Sequence, residues 1–222
     1  MFCWLSSRAE VAPGELAAAS TKGPLGLGQS RGIVAKLSVL FALDAFGGGF
    51  IVQSVLAYWF KVRFDVDLVT LGGIFFGANI LAGLSSLMAA RLANRFGLVN
   101  TMVFTHLPSN VLLILVPLMP NFPLALTLFL IRYSISQMDV PTRQSYVMAV
   151  VSPEERSAAA GVTAMARSLG AALSPWLATR FLGSDNVLLA GMPFYLAGGI
   201  KVLYDLLLYR EFVSLKPPEE RK

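Results

Sequence analysis

Apolar residues run along this chain in long blocks, without the two- or four-residue alternation of a soluble domain. From Ile33 onward six blocks of about 20 residues or more cover 33–60, 68–93, 101–119, 124–151, 157–182 and 187–212. At about 1.5 Å per residue, each is long enough to cross the hydrocarbon layer as a helix. In lipid the backbone must satisfy its own polar groups, so blocks of this length predict helices. The pattern therefore predicts an all-α membrane protein built as a six-transmembrane-helix bundle. The breaks are equally legible. Pro120-Asn121-Phe122-Pro123 stops the helices on either side of it. Ser152-Pro153-Glu154-Glu155 reads as a helix start, with Ser152 as N-cap, proline in the first turn and acids at the positive helix end. Residues 1–32 hold prolines, glycines and serines without a sustained apolar period and are expected to form a flexible arm. Phe2 to Leu5 is too short for the core of a secretion signal. Residues 213–222 form a polar tail.

Composition agrees. Apolar residues make up 55% of the chain and charged residues 14%, against about 25% charged in an average soluble domain. The net charge of +5 does not imply nucleic acid as a partner, because the basic residues flank apolar blocks and form no dense stripe with aromatics between them. Cys3 is the only cysteine, which excludes an intrachain disulfide and a cysteine-built metal site. No nucleophile and base set, phosphate-binding loop or metal-spaced cluster occurs, so neither an enzyme nor a cofactor or metal is expected. The lipid bilayer is the implied partner.

Charge also orients the bundle. Six spans put both termini on one side. Of the eighteen lysines and arginines, Arg132, Arg167 and Lys201 lie within spans and Lys61, Arg63 and Arg180 on the side away from the termini, which leaves twelve on the side of the termini. The positive-inside rule then predicts cytoplasmic termini, in a cell membrane.

The polar residues inside the blocks are the candidates for function, since an ionisable group within a span is costly and usually lines a polar path. Asp44 lies about 15 Å in from the start of its span, and Asp139 and Arg167 come out at similar depths, so three helices bring charge to one layer. Arg132, Ser136, Asp139 and Arg143 share one helical face, as do Thr163, Arg167, Gly170 and Ser174. Two readings fit these seams, a solvated pathway or buried ion pairs that fix helix register. Asp44 precedes Gly47, Gly48 and Gly49, which predict a helix break at the site, and Asp44 is the leading proton or substrate residue. The alternative for the triplet is a packing face, with Asp44 paired to a neighbour such as Arg167. Lys201 and Asp205, four apart, are expected to satisfy each other. His106, the single histidine, is expected to be a hydrogen-bonded helix residue near an interface. Gly73 and Gly77 have the spacing that lets two helix backbones approach.

The segment between the second and third spans, Ala90-Arg91-Leu92-Ala93-Asn94-Arg95-Phe96-Gly97, resembles the loop signature Gly-x-x-x-Asp-Arg-x-Gly-Arg-Arg of the Major Facilitator Superfamily, with Asn94 where the acid stands. Asp139-Val140-Pro141-Thr142-Arg143-Gln144, leading into Pro153-Glu154-Glu155-Arg156, is similar to the connection between the fourth and fifth helices of a carboxyl-terminal half in that family. The resemblance covers about residues 25–212. It implies one six-helix half of a twelve-helix secondary transporter that moves a small solute, coupled to a proton or other ion gradient. It further implies that the first and fourth helices line the cavity, which matches the placement of Asp44, Arg132 and Asp139, and that the second and fifth pack on the other half; with Arg167, at the same depth, these residues are the expected substrate or proton pathway. Arg91, Asn94, Arg95 and Gly97, with Arg143, Glu154, Glu155 and Arg156, are the implied cytoplasmic gate. A second six-helix half is then expected as partner, from a separate chain, another copy or the rest of a longer gene product. A non-transporting six-helix accessory protein is the alternative function.

Overall fold

The computed structural model describes residues 24–182, 184 and 186–215. Most of the expected amino-terminal arm and the last seven residues of the tail lie outside the described residues. Among those described, every regular element is helical. The helices are α1 (Arg31–Gly49), α2 (Gln53–Phe64), α3 (Leu68–Phe96), α4 (Leu98–Leu115), α5 (Phe122–Ser136), α6 (Asp139–Val150), α7 (Arg156–Leu182), the short α8 (Val187–Ala190) and α9 (Met192–Phe212). Three units are long and apolar enough to cross a membrane by length and composition: Arg31–Phe64, Leu68–Phe96 and Leu98–Leu118. The remaining helices carry the breaks and charges that set them apart.

Two of these breaks have local causes. The block at 124–151 is not one helix, because α5 ends at Ser136 and α6 begins at Asp139. Pro141 has no N–H to give the carbonyl of Gln137 and disfavours helical geometry before it, so the chain turns there. The Thr142 hydroxyl donates to the carbonyls of Met138 and Asp139 at 2.8 and 2.9 Å and so adds a side-chain tie to the start of α6. The glycine triplet, by contrast, does not break α1 internally. The helix continues through Gly49, and the turn follows at Phe50 and Ile51, before α2 starts at Gln53.

Small residues decide how closely the helices approach. α1 makes its most extensive contact with α7. A Cβ on Gly170 would collide with the carbonyl oxygen of Ala42, and one on Gly49 with the Ser174 hydroxyl. Gly198 on α9 faces Ile114 and the Asn110 carbonyl in the same manner. Gly73 and Gly77, expected to mediate close approach, have nothing within 4 Å in this chain. They lie on α3, whose Phe76, Ile80, Leu84 and Leu87 are exposed.

The core has two apolar parts. At the end away from the termini, rings of Trp59, Phe60, Phe75, Phe129 and Phe194 interlock, with Trp59 and Phe194 centroids 4.7 Å apart and Phe60 and Phe129 5.4 Å. At the end of the termini, Val34, Leu37, Phe41, Met102, Tyr146, Leu208 and neighbours form the second. A layer of buried charge lies between them.

Candidate functional site

That layer is organised by one carboxylate. Asp44, 3% exposed on α1, receives charge from three other helices. Its Oδ1 accepts from Lys201 Nζ of α9 at 2.5 Å, and its Oδ2 from Arg143 Nη1 of α6 at 3.2 Å and Arg167 Nη1 of α7 at 3.1 Å. Arg143 also donates to Asp139, one turn earlier on α6, at 2.9 Å. Asp139 sits in the first turn of α6, where the positive helix end favours an acid. The glycine triplet has a definite role in this geometry. A Cβ at Gly47 would press on Lys201 Cγ at 3.1 Å, and one at Gly48 would stand 3.7 Å from its Nζ. The absent side chains therefore make the channel through which Lys201 reaches Asp44.

A second carboxylate extends the network. His106 on α4 has Nδ1 2.8 Å from Asp205 Oδ1 of α9 and Nε2 3.9 Å from Asp44 Oδ1. Asn110, one turn on, donates to the other oxygen of Asp205 at 2.9 Å. The contact with Asp205 holds the ring so that Nε2 turns toward Asp44, and the Asn110 amide nitrogen lies 3.2 Å from Nδ1. Helices α1, α4, α6, α7 and α9 thus contribute to one cluster.

The structure departs from the sequence expectations at several residues. Lys201 and Asp205 do not pair with each other; their shared helix face let them meet, but the buried Asp44 and His106 are better placed acceptor and donor. His106 is not near an interface but buried at the centre of the polar layer. Arg143, assigned to the gate, lies at the core of the charge cluster. Arg132 is buried yet makes no ion pair with Asp139. The break at Gln137 ends the shared helical face, and the guanidinium instead stacks 5.2 Å from the Tyr133 ring, with its Nε unpartnered.

The remaining motif residues sit at the end of the termini. Arg91, Asn94 and Arg95 are exposed on the last turns of α3, Arg95 stacking over Phe96, and Gly97 ends the helix with φ 88°, a backbone geometry that favours glycine. Glu154 is exposed beside Glu155. Glu155 is not a simple first-turn acid of its own helix. Its carboxylate accepts the N–H groups of Gly28, Gln29 and Ser30 at 2.8, 3.1 and 3.0 Å and so caps the start of α1. Partial burial alone would raise its pKa, but these three donors outweigh that and hold it below the ordinary carboxylate value.

Between the charge layer and the end of the termini lies a cleft of about 1170 Å³ bounded by α1, α3, α4, α6 and α7. Arg143 and Arg167 line its inner end, and Asn94 and Arg156 line its rim. Asp44 itself lies behind the two arginines. The arrangement sets an open cleft of mixed apolar and polar lining against a buried, hydrogen-bonded charge cluster, with rings packed at the other end.

Comparison with known proteins agrees with this architecture. An uncharacterized membrane protein of Saccharomyces cerevisiae, YJR124C, is 24% identical over 184 residues, which is 82% of this chain and 40% of that protein. The chain therefore spans about two fifths of the length of the curated relative it matches. No solved structure matches. The family model described as Major Facilitator Superfamily matches residues 4–222, nearly the whole sequence, and the chain belongs to that superfamily of membrane transporters.

Proposed function

We propose that this chain forms one six-helix half of a facilitator-type secondary transporter, which moves a small solute across a cell membrane in exchange with, or together with, a proton or another ion. The observation that carries the reading is the Asp44 cluster at the inner end of a cleft. One buried carboxylate shared by Lys201, Arg143 and Arg167, with His106 within 3.9 Å, is a set of partners that a solute or proton can rearrange. A charge in a span is expensive unless compensated, so protonation or ligand binding at this point changes the balance of contacts between α1, α6, α7 and α9.

In this reading both termini are cytoplasmic, in accord with the positive bias of their side, and the cleft opens to the cytoplasm. The outward face of α3, with its uncovered glycines and exposed apolar residues, receives a second six-helix half that completes the cavity. Arg91, Asn94, Arg95 and Arg156 form the cytoplasmic rim and Glu155 ties the rim to α1.

Reconstitution tests the proposal. Liposomes containing the chain, alone and together with a second six-helix half, are given an imposed proton gradient and a panel of radiolabelled small solutes. Gradient-dependent uptake that a protonophore abolishes is the expected result in the complete assembly. Absence of uptake for every solute in the complete assembly contradicts a transport role.

A further inference from the structure

The charged side chains that line the cleft are all arginines: Arg143, Arg156 and Arg167. Among the described residues no carboxylate lines it. Asp44 and Asp139 are nearby, but both are buried behind the guanidinium groups, at 3% and 5% exposure. Topology alone accounts for a rim arginine such as Arg156, because basic residues collect at cytoplasmic helix ends. It does not account for Arg167, which lies about 16 Å deeper along α7.

Charge in the layer is also unbalanced. Three cations, Arg143, Arg167 and Lys201, share two carboxylates, Asp44 and Asp139, while Asp205 is bonded to His106 and Asn110. Arg143 and Arg167 share a single oxygen, Asp44 Oδ2. The side chain of Arg167 is 34% exposed, the most open of the cluster, and presents the rest of its donor fork to the cleft. A guanidinium with unused parallel donors fits a carboxylate or phosphate group, and Gln144 and Ser145 on the facing wall add neutral donors. A cationic solute entering the same cleft meets three guanidinium groups and no acid along its lining.

We infer that the cleft takes an oxyanion, a solute bearing a carboxylate or phosphate group, held at Arg167 with Arg143. The inference rests on the transport reading above in that it names the class of its solute. Binding gives Arg167 an anionic oxygen of its own and releases half of the load on Asp44 Oδ2, which loosens the contact between α7 and α1 where the charges meet.

The charge preference of the cleft can be measured without knowing the solute. Ala164, exposed in the cleft one turn from Arg167, is replaced by cysteine (Ala164→Cys) in a Cys3→Ser background of the full chain in lipid nanodiscs. The thiol is reacted with an anionic sulfonate and a cationic trimethylammonium methanethiosulfonate, each rate normalised to that of a small free thiol. The expected result is on the order of 10-fold faster reaction with the anionic reagent, reduced by Arg167→Gln, retained by Arg167→Lys and reduced in part by Arg156→Gln. Malate and inorganic phosphate serve as probes for the two sources of the group. Slowing by malate alone assigns a carboxylate, slowing by phosphate alone a phosphoryl group, and choline is expected to have no effect. Equal or reversed reagent rates, or a preference unchanged by both Gln variants, overturns the inference. Because mixed-disulfide formation at the thiol, with release of methanesulfinate, does not require transport, an anion-selective cleft without uptake counts against the transport reading only, and uptake through a cleft without anion preference counts against this inference only.

Discussion

The two ends of the bundle share an apolar core but differ in what surrounds it. Away from the termini, Trp59, Phe60, Phe75, Phe129 and Phe194 from α2, α3, α5 and α9 fill the space between helices with interlocked rings, and no ion pair is needed there. At the other end a second apolar cluster around Val34, Leu37, Tyr146 and Leu208 packs beside an open cleft, and polar contacts add to it: the Glu155 cap on α1, the exposed Lys36 and Glu211 pair at 2.7 Å, and the Tyr146 hydroxyl on the Leu215 carbonyl at 3.1 Å. Ring packing is lost all at once when separated, whereas exposed ion pairs contribute little and exchange readily with water. The difference teaches where motion is cheap. In the proposed transport cycle the cleft end is the one that tightens or loosens by exchanging contacts, and the ring end holds.

Substitutions test that contrast in decreasing order of effect. Gly170→Leu is expected to have the largest, since its Cβ already collides with the backbone of Ala42 and the α1 and α7 contact serves both ends. Loss of monodisperse protein on size exclusion is the expected outcome, and a normally folded variant removes the close approach from the account. Asp44→Ala follows. It strands Lys201, Arg143 and Arg167 without their shared acceptor, and the cost is about 3 to 5 kcal/mol by denaturant titration. Adding Lys201→Met to Asp44→Ala should recover part of the loss, because one uncompensated charge is removed; a further decrease contradicts the shared-charge geometry.

Phe60→Ala sharpens the comparison from the other side. Removal of a fully buried ring costs about 3 kcal/mol or somewhat more and opens the ring end to water. A cysteine at Ala125, buried in the same cluster, should become reactive toward thiol reagents in the Phe60→Ala variant while Ala164→Cys reactivity stays unchanged. If both change together, the two ends are not separate units. The smallest effect is expected at Glu155. Its pKa is depressed in the folded protein, so the tie to Gly28, Gln29 and Ser30 is intact above the ordinary carboxylate value and is lost as the pH falls through the lower folded-state value. Hydrogen exchange at those three amides, corrected for intrinsic rates, should accelerate below that point and be fast at all pH values in Glu155→Gln. Exchange independent of pH in the native chain contradicts the cap.

How far the sequence could carry these conclusions follows from the range of each interaction. The helical membrane fold was legible, because lipid imposes long apolar runs and their prolines and glycines mark the ends. Depth arithmetic also drew Asp44, Asp139 and Arg167 into one layer, and the structure connects Asp44 to Asp139 through Arg143 and to Arg167 directly. What was not legible was choice among partners. Lys201 and Asp205 satisfy a local spacing rule, yet burial gave each a nonlocal partner, Asp44 at a sequence distance of 157 and His106 at 99. The Glu155 cap spans 127 residues to Gly28 and left no local signal beyond a helix-start motif. The break that separates Arg132 from Asp139 did leave one, since Pro141 stands within the apolar block. His106 likewise carried a signal as a single histidine in a span, but its position beside Asp205 depends on how α4 and α9 pack.

The central claim is that Asp44 couples the cleft to ion movement. Solute-driven proton flux, recorded by an internal pH indicator in liposomes bearing the complete assembly, tests it most directly when the wild-type chain and Asp44→Asn are compared at matched protein content. The account predicts proton movement with solute in the wild type and its loss, by on the order of 100-fold, in Asp44→Asn. Equal solute-driven proton flux in the two contradicts it.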